Sequence, residues 1–182
     1  MAAIVLSTIN AKWIHPSLAL RLLKANLPPD QDCVILEFSL RQNLNEKITA
    51  IIMEKPKILA LSVSIWNHQA TVELLRALEA EWDKRGPMPT VILGGPEITG
   101  IGEPAVGQNE TPEIFRLADY IILGEGEAVF ADLCRAVLED PGGTKKQYSK
   151  FINAPPVNLG KIKNPYDLYT QEDLQHKLIY VE

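Results

Sequence analysis

The chain has 182 residues, 46% of them hydrophobic and 23% charged, and can bury about two-thirds of its unfolded surface as an ordinary globular protein does. Its 18 Lys and Arg against 23 Asp and Glu give a net charge of −5, and without a basic-aromatic stripe this argues against nucleic acid or an anionic membrane as a partner. Apolar runs far below the ~20 residues of a membrane span, and a start without signal-peptide features, predict a cytoplasmic protein with no membrane span.

Short runs rich in Val, Ile and Leu alternate along the chain with segments whose apolar residues recur at helical spacing. The runs are apolar on both faces, as is typical of strands covered by helices on each side. In chain order the predicted elements are strand 3–7, helix 17–26, strand 33–38, helix 45–54, strand 58–64, helix 68–84, strand 91–93, strand 120–123 and helix 127–139.

This alternation predicts an α/β fold, because parallel strands need right-handed crossovers. We expect a doubly wound, flavodoxin-like sheet of five parallel strands in the order 2-1-3-4-5. The fourth crossover, residues 96–118, is rich in Gly and Pro and is predicted to be a long loop with a short helix near residues 112–117.

The character of the chain changes at Gly142, after which we expect an irregular extension. It contains a basic run at 145–150, a pair of residues at 151–152 that can form a short strand, and an apolar run at 178–181 that is predicted to be a strand. The sequence therefore predicts a domain at 1–141 and a linker at 142–182, and we expect the chain to be the N-terminal piece of a longer protein.

Ligands of such sheets bind at the carboxyl ends of the strands, so the loops that follow the strands are the segments to search. Four loops are of interest, at 7–15, 62–68, 94–99 and 124–127. Trp13 and Trp66 are predicted to flank the crevice between the first and third strands, where an apolar wall suits a large flat ligand. Either side chain could instead simply cover the end of the sheet.

Two glycines end the fourth strand, and two hydroxyl side chains end the third. Gly94 and Gly95 lack a Cβ, which lets a ligand approach the backbone or, equally, permits a tight turn. We expect strand-end glycines to contribute little to packing, so that a bulky residue at Gly95 blocks a ligand and leaves the fold intact. Ser62 and Ser64 can hydrogen-bond to a ligand. Helix capping is the alternative for Ser64, and it is the favoured role of Asn67.

The fifth strand is followed by Gly124, Glu125, Gly126 and Glu127. A Gly-x-Gly pair between strand and helix is found in dinucleotide sites, but here the third glycine is missing and the position is not that of the first strand. The two carboxylates would also repel a pyrophosphate, so we do not expect a nicotinamide nucleotide site.

The remaining reactive side chains do not form a site of their own. His15, His68 and His176 lack partners at metal-ligand spacing, so a protein-only metal site is not expected, although His15 or His68 could serve as a single axial ligand. Cys33 and Cys134 are far apart and form no Cys-x-x-Cys pair, which argues against a zinc or iron–sulfur site within this chain. No nucleophile with a matching base is recognisable.

Four segments together carry a resemblance to a known family. They read Asn-Ala-Lys-Trp-Ile-His at 10–15, Leu-Ser-Val-Ser at 61–64, Ile-Leu-Gly-Gly-Pro-Glu at 92–97 and Ala-Asp-Tyr-Ile-Ile-Leu-Gly-Glu-Gly-Glu at 118–127. The chain resembles, over nearly its whole length, the N-terminal cobalamin-binding domain of cobalamin-dependent radical S-adenosylmethionine proteins. That group includes methyltransferases and the anaerobic magnesium-protoporphyrin monomethyl ester cyclase.

The resemblance implies that the chain binds cobalamin, with the dimethylbenzimidazole tail of the cofactor buried in the fold. Ser62 and Ser64 would contact the base of the tail, Gly94 and Gly95 would leave room for it, and Thr99 would be a weaker polar contact. The complete set of cofactor-binding residues that we predict is Asn10, Trp13, Ser62, Ser64, Trp66, Gly94, Gly95, Thr99, Gly124, Glu125, Gly126 and Glu127.

The resemblance also implies a second domain that this chain lacks. Residues 177–182 look like the strand that precedes the three-cysteine motif of the radical domain, whose [4Fe-4S] cluster and S-adenosylmethionine would lie beyond Glu182. Classical cobalamin modules carry Asp-x-His-x-x-Gly, but here Trp13 and Leu18 occupy the Asp and Gly positions around His15. We therefore expect cobalt without a protein histidine, with His15 as a weak candidate.

Other classes of protein share this fold order. A signalling receiver domain requires aspartates after the first and third strands and a lysine after the fifth, and this chain has Ser7, Ser62 and Gly124 there. A flavodoxin-like nucleotide-binding domain would use Asn10 near a phosphate, although the loop is poor in glycine and hydroxyl residues. A cofactor-free interaction domain is the remaining alternative.

Overall fold

A six-stranded parallel sheet forms the centre of the protein in a computed structural model that describes residues 1–105, 111–140, 144 and 147–180. The strands lie in the order β2-β1-β3-β4-β5-β6, and every neighbouring pair is parallel. Their bounds are β1 Ile4–Asn10, β2 Cys33–Ser39, β3 Ile58–Ser62, β4 Thr90–Gly94, β5 Tyr120–Leu123 and β6 Phe151–Asn153.

The α/β class and the order of the first five strands match the prediction, but the prediction of five strands is wrong. β6 adds a sixth strand beside β5, with Ile121 pairing with Phe151. The Phe151 ring packs edge-on against Phe115, with 5.3 Å between the ring centroids, and the amide of Ala154 donates to the carbonyl of Leu123. Because an uncovered strand edge leaves backbone groups unpaired, this short strand completes the hydrogen bonding of β5.

Helices cover both faces of the sheet, and their apolar sides form two separate cores. α1 and α6 pack with Leu6, Ile92 and Phe130 on one face, and α2, α3 and α5 pack with residues such as Leu75 and Leu93 on the other. The helices are α1 Leu18–Asn26, α2 Leu44–Glu54, α3 His68–Trp82, α4 Pro96–Ile101, α5 Glu113–Arg116, α6 Glu127–Glu139 and α7 Gln171–His176, with 3₁₀ turns at Leu159–Lys161 and Tyr166–Leu168.

The fourth crossover is more ordered than the predicted loop. α5 corresponds to the short helix expected near residues 112–117, but α4 begins directly after β4. Pro96 occupies the first turn of α4, where its missing N–H costs nothing, and Ile98 is fully buried. Burial of Ile98 outweighs the poor helix propensity of Gly100. Residues 106–110 of this crossover lie outside the described residues.

Parts of the predicted extension also fall outside the described residues. The proposed boundary between 141 and 142 lies there, as do residues 145–146 of the basic run and residues 181–182 of the tail. Residues 178–180 were predicted to be part of a strand, and in the structure they are not. The amide of Leu178 instead donates a hydrogen bond of 2.8 Å to the carbonyl of Ile14, in the loop between β1 and α1.

A buried cluster of charges joins residues near the end of the chain to the first helix. The Arg21 guanidinium contacts Glu37 at 2.8 Å and Asp173 at 2.9 Å, and Lys177 lies 2.7 Å from Asp173. All four side chains are less than a tenth exposed, and Arg21 also lies 4.5 Å above the ring of Tyr169. Each charge is therefore compensated within the protein rather than by water.

No helix among the described residues is long and apolar enough to cross a membrane. This agrees with the short apolar runs of the sequence.

Replacing Asp173 by Asn should destabilise the fold by about 3 kcal/mol at pH 7, because Arg21 and Lys177 lose a buried counter-charge. Burial opposes ionisation of Asp173, but hydrogen bonds from Lys177, Thr170 and Arg21 outweigh it and lower the pKa of the carboxyl. The contribution is therefore complete above about pH 5 and is lost as the pH falls below about 4.

Urea denaturation of Asp173→Asn and of the parent between pH 3 and pH 7 measures this difference. The exposed Asp167→Asn in the same segment is the control, and it should match the parent at every pH. A stability difference between Asp173→Asn and the parent that stays constant from pH 7 to pH 3 would contradict the assigned electrostatics.

Candidate functional site

A cavity of about 540 Å³ lies at the carboxyl ends of β3, β4 and β5, on the face that α1 and α6 cover. Its walls come from the sheet and from these two helices, and its rim comes from the loops after the strands. The walls are Leu6, Ala60, Ile92, Ile122, Ala19, Leu20, Leu23 and Phe130, and the rim includes Ser62, Gly94, Gly95, Thr99, Gly124, Glu125, Gly126 and Glu127.

Small residues account for the open volume. Ala60 sits in the middle of β3, where its neighbours Leu59 and Leu61 carry large side chains towards the opposite core. A Cβ at Gly126 would lie 3.6 Å from the Ile122 and Leu23 side chains, both of which line the cavity. A side chain at Gly126 would therefore extend into the space beside these walls.

Gly95 has a different role from Gly94. Its φ is +105°, and a Cβ there would lie 2.5 Å from the carbonyl oxygen of Val63. The amide of Val63 donates to the carbonyl of Gly94 and the amide of Glu97 donates to Val63, so β3 and α4 meet tightly at this glycine. The expectation that Gly95 contributes little to packing is therefore wrong. A Cβ at Gly94 meets only the carbonyl of Ile122, at an ordinary 3.7 Å.

The two predicted tryptophans do not line the cavity. Trp13 is 50% exposed and its ring lies 4.0 Å below the Lys177 ammonium, while Trp66 is 54% exposed beyond the end of β3. They lie at the carboxyl edge, as predicted, but they do not form a wall between β1 and β3.

The crevice between β1 and β3 is filled by the side chain of Asn67. Its Oδ1 accepts from the amide of Ser64 at 2.8 Å, and its Nδ2 donates to the Ile9 carbonyl at 3.0 Å and to Thr8 Oγ1 at 3.2 Å. Asn67 is fully buried and occupies the predicted N-cap position of α3, but its side chain makes no cap hydrogen bond, so only that part of the predicted capping role is wrong. The side chain is not available to cap α3, because its amide group already satisfies buried polar groups at the ends of β1 and β3.

Two further predicted residues serve the framework. Ser64 is buried beside Asn67 and lies outside the cavity lining. The Asn10 amide donates to Glu37 at 3.1 Å, and the same carboxylate accepts from the amide of Ser17 at the start of α1. Asn10 therefore helps to hold the loop between β1 and α1.

The polar groups around the cavity differ in whether they already have a hydrogen-bond partner within the protein. Thr99 Oγ1 accepts from the amide of Gly124 at 3.0 Å, and Glu125 accepts from the amide of Val157 at 2.6 Å. Glu127 Oε2 is buried, and no donor in the described part of the chain lies within hydrogen-bond distance of it. The cavity is therefore a mostly apolar chamber whose polar residues lie at its rim.

His15 lies outside the cavity lining, at the entrance to α1. Its ring stacks on Tyr180 with 5.6 Å between centroids, and its Nδ1 is buried without a partner among the described residues. Pro16 follows it and is buried, and Ser17 then caps α1. Across the described ranges no three His, Cys, Asp or Glu side chains converge as a metal site.

The cysteines offer no reactive thiol at neutral pH. Burial raises the pKa of Cys33 to about 12, and burial likewise raises the pKa of Cys134. A thiol that stays protonated is a poor nucleophile and a poor metal ligand.

Sequence reasoning missed the walls of the cavity. Leu6, Ala60, Ile92 and Ile122 lie in strands that were predicted correctly, and all four belong to the core under α1 and α6. A signal was present, because alternate residues of neighbouring parallel strands share a face and Ala60 is the small one among them.

Comparison with known proteins places the fold among solved structures. No protein-family model matches the chain, and no curated protein matches it. One similar solved structure is that of the apo, selenomethionine-labelled cobalamin-dependent S-adenosylmethionine radical enzyme OxsB, with a TM-score of 0.53 and 18% sequence identity. The match covers 77% of this chain and 19% of that one, so this chain spans about a fifth of that protein. At this identity the likeness shows the fold.

Replacing Gly95 by Ala should destabilise the protein by about 2 kcal/mol, because this backbone region is nearly restricted to glycine and the new Cβ would meet Val63. Gly100→Ala, in the helix α4 that Gly95 precedes, is the matched control. Its Cβ meets nothing within 4 Å, so its stability should stay equal or rise by about 0.5 kcal/mol. Thermal unfolding of both variants checks this, and equal melting temperatures would refute the assigned role of Gly95.

Proposed function

We propose that this chain is a cobalamin-binding module of a larger cobalamin-dependent radical S-adenosylmethionine enzyme. The observation that carries the proposal is the cavity at the carboxyl ends of β3, β4 and β5, which eight of the twelve predicted cofactor residues line. The fold likeness to a cobalamin-dependent radical enzyme supports it.

The cavity fits the nucleotide tail of the cofactor better than the corrin ring. Its volume of about 540 Å³ lies within the ~300–1,000 Å³ typical of ligand sites, and the planar base of the tail matches its apolar walls. A corrin ring is too large to enter beside the tail. In this arrangement the corrin would lie outside the cavity, over the carboxyl edge of the sheet.

Different residues of the chain would contact different parts of the cofactor tail. Ile92, Ile122 and Phe130 would contact the faces of the base, and Gly94 and Gly126 would leave its path open. Ser62, at the end of β3, would supply a hydroxyl to the polar edge of the base. Bound cobalamin supplies a cobalt centre for methyl-transfer or cyclase-type chemistry, which would run in a second domain with a [4Fe-4S] cluster and S-adenosylmethionine.

The charges of the site argue against a phosphate inside the cavity. Glu125 and Glu127 both lie at its rim, and neither has a cationic partner in the described residues. A flavin nucleotide held as in flavodoxins would instead need donors after β1, where Asn10 is engaged with Glu37. The phosphate of a cobalamin tail would stay outside, between the buried base and the exposed corrin.

Hydroxocobalamin should bind the chain and remain with it through desalting, with a visible corrin spectrum in the protein peak. Cobinamide, which keeps the corrin and lacks the nucleotide tail, should bind at least about tenfold more weakly because it cannot use the cavity. Protein that elutes free of corrin under oxidising and reducing conditions would overturn the proposal. Retention of flavin mononucleotide in its place would favour the nucleotide-binding alternative.

Ala19→Phe should weaken hydroxocobalamin binding by about tenfold or more while the fold persists. Ala19 is an exposed residue of α1 that lines the cavity, so the new ring can occupy the entrance without entering a core. Ala80→Phe, at an exposed position of α3 on the opposite side of the sheet, is the matched control. Equal affinities of the two variants, measured by fluorescence quenching, would show that the tail does not use this cavity.

His15→Ala should leave the spectrum of bound cobalamin unchanged. The residue is stacked against Tyr180, it does not line the cavity, and the Asp-x-His-x-x-Gly pattern that orients a ligating imidazole is absent. Electron paramagnetic resonance of the bound cobalt(II) form tests this. A nitrogen hyperfine splitting that disappears in His15→Ala would restore histidine as the lower ligand.

A further inference from the structure

The deepest part of the cavity lies over Ala60, in the middle of β3. Parallel pairing places Ala60 between Leu6 of β1 and Ile92 of β4, and all three line the cavity. Ile58 lies two residues earlier on the same face of β3, is fully buried and is not part of the lining. The cavity therefore ends at the level of Ala60.

Ala60 keeps some accessible surface, and that surface can only belong to the cavity. β3 is a central strand, with neighbouring strands on both sides and helices over both faces. Ala60 is nevertheless 5% exposed, whereas Leu6 beside it and Ile58 before it are 0% exposed. A larger side chain at position 60 would therefore extend into open volume rather than into a packed core.

The depth of the cavity matches the long axis of a benzimidazole. Ser62 pairs with Gly94 at the rim, and Ala60 lies two residues deeper on the same face of β3. At ~3.3 Å per residue the two levels are roughly 7 Å apart, on the order of the length of two fused rings. A base whose polar edge lies at Ser62 thus brings its opposite edge to Ala60.

The side chains around this deep end offer apolar contacts. Leu6 and Ile92 flank Ala60 in the sheet, and the helices on that face add Leu20 and Phe130. Methyl groups at the inner edge of a base gain free energy from burial in such surroundings. A substituent that needs hydrogen bonds would lose its water partners there without replacement.

We propose that Ala60 determines which lower base the site accepts, and that it makes room for the two methyl groups of dimethylbenzimidazole. This inference rests on the proposed function. A benzimidazole without methyl groups leaves the space over Ala60 empty. Ala60→Val adds two carbon atoms at this position, which is the number that the unsubstituted base lacks. The change in the protein and the change in the ligand should therefore compensate each other.

The test measures dissociation constants of the full chain for two cobamides, with dimethylbenzimidazole and unsubstituted benzimidazole as lower bases. The parent should bind the dimethyl form about tenfold more tightly, as expected for the burial of two methyl groups. Ala60→Val should bind the dimethyl form at least about tenfold more weakly than the parent does, because the methyl groups meet the new side chain. It should bind the unsubstituted form at least as tightly as the parent does, because the added carbons fill the empty space.

The design separates this contact from other effects of the substitution. The parent and Ala60→Val are compared on the same two cobamides, so any difference between the free cobamides cancels. Ala80→Val, at an exposed position of α3 on the opposite side of the sheet, is the matched control and should keep the preference of the parent. Valine is favoured in strands, and tight binding of the unsubstituted form by Ala60→Val would also show that this variant is folded.

The outcomes distinguish the inference from the proposed function. Equal binding of the two cobamides by the parent overturns the inference, whatever the variant does, and leaves the cobalamin-binding function standing. A preference for the dimethyl form that persists in Ala60→Val overturns it as well, and so does an equal weakening of both forms. Failure of both cobamides to bind the parent overturns the inference and the proposed function together.

Discussion

The close approach of β3 to its neighbours at its carboxyl end is the constraint on which the candidate site depends. On one side the Asn67 amide fills the crevice to β1, with hydrogen bonds to Ile9 and Thr8. On the other side Val63 contacts the backbone at Gly95, so closely that a Cβ would lie 2.5 Å away. The switch point of the sheet is thereby occupied by protein, and the open volume lies over β3, β4 and β5 on one face.

This arrangement separates a rigid rim from a variable lining. The rim is held by backbone hydrogen bonds and by Asn67, and substitution there acts on the fold. The lining includes side chains of α1 such as Ala19 and Leu23, which can change without altering the strand ends. A fold of this kind can therefore alter what it accepts in the cavity while the sheet edge stays constant, as expected for sites placed on rigid elements.

The sequence was sufficient to predict the elements that depend on a local pattern of apolar residues. It was not sufficient where the structure of a segment depends on contacts with residues far away in the sequence. Runs such as those of β1 and β3 are apolar enough to identify, and parallel topology brings their ends together, so the rim residues at Gly94 and Gly126 could be found. β6 is only three residues long, and its packing partner Phe115 lies in another crossover. Asn67 looks like a helix cap locally, because its hydrogen-bond partners in β1 are remote in the sequence.

The partners of Arg21 in the buried charge cluster are synthesised at very different times. Arg21 and Asp173 are separated by 152 residues, and at ribosomal rates this interval is on the order of 10 s. Throughout it Arg21 has Glu37 but neither Asp173 nor the Tyr169 ring, and the edge of β5 lacks β6. A nascent chain that ends at β5 thus has one of the two carboxylate partners of Arg21 missing and an open edge at β5, and both are supplied only when residues 150–177 have been made.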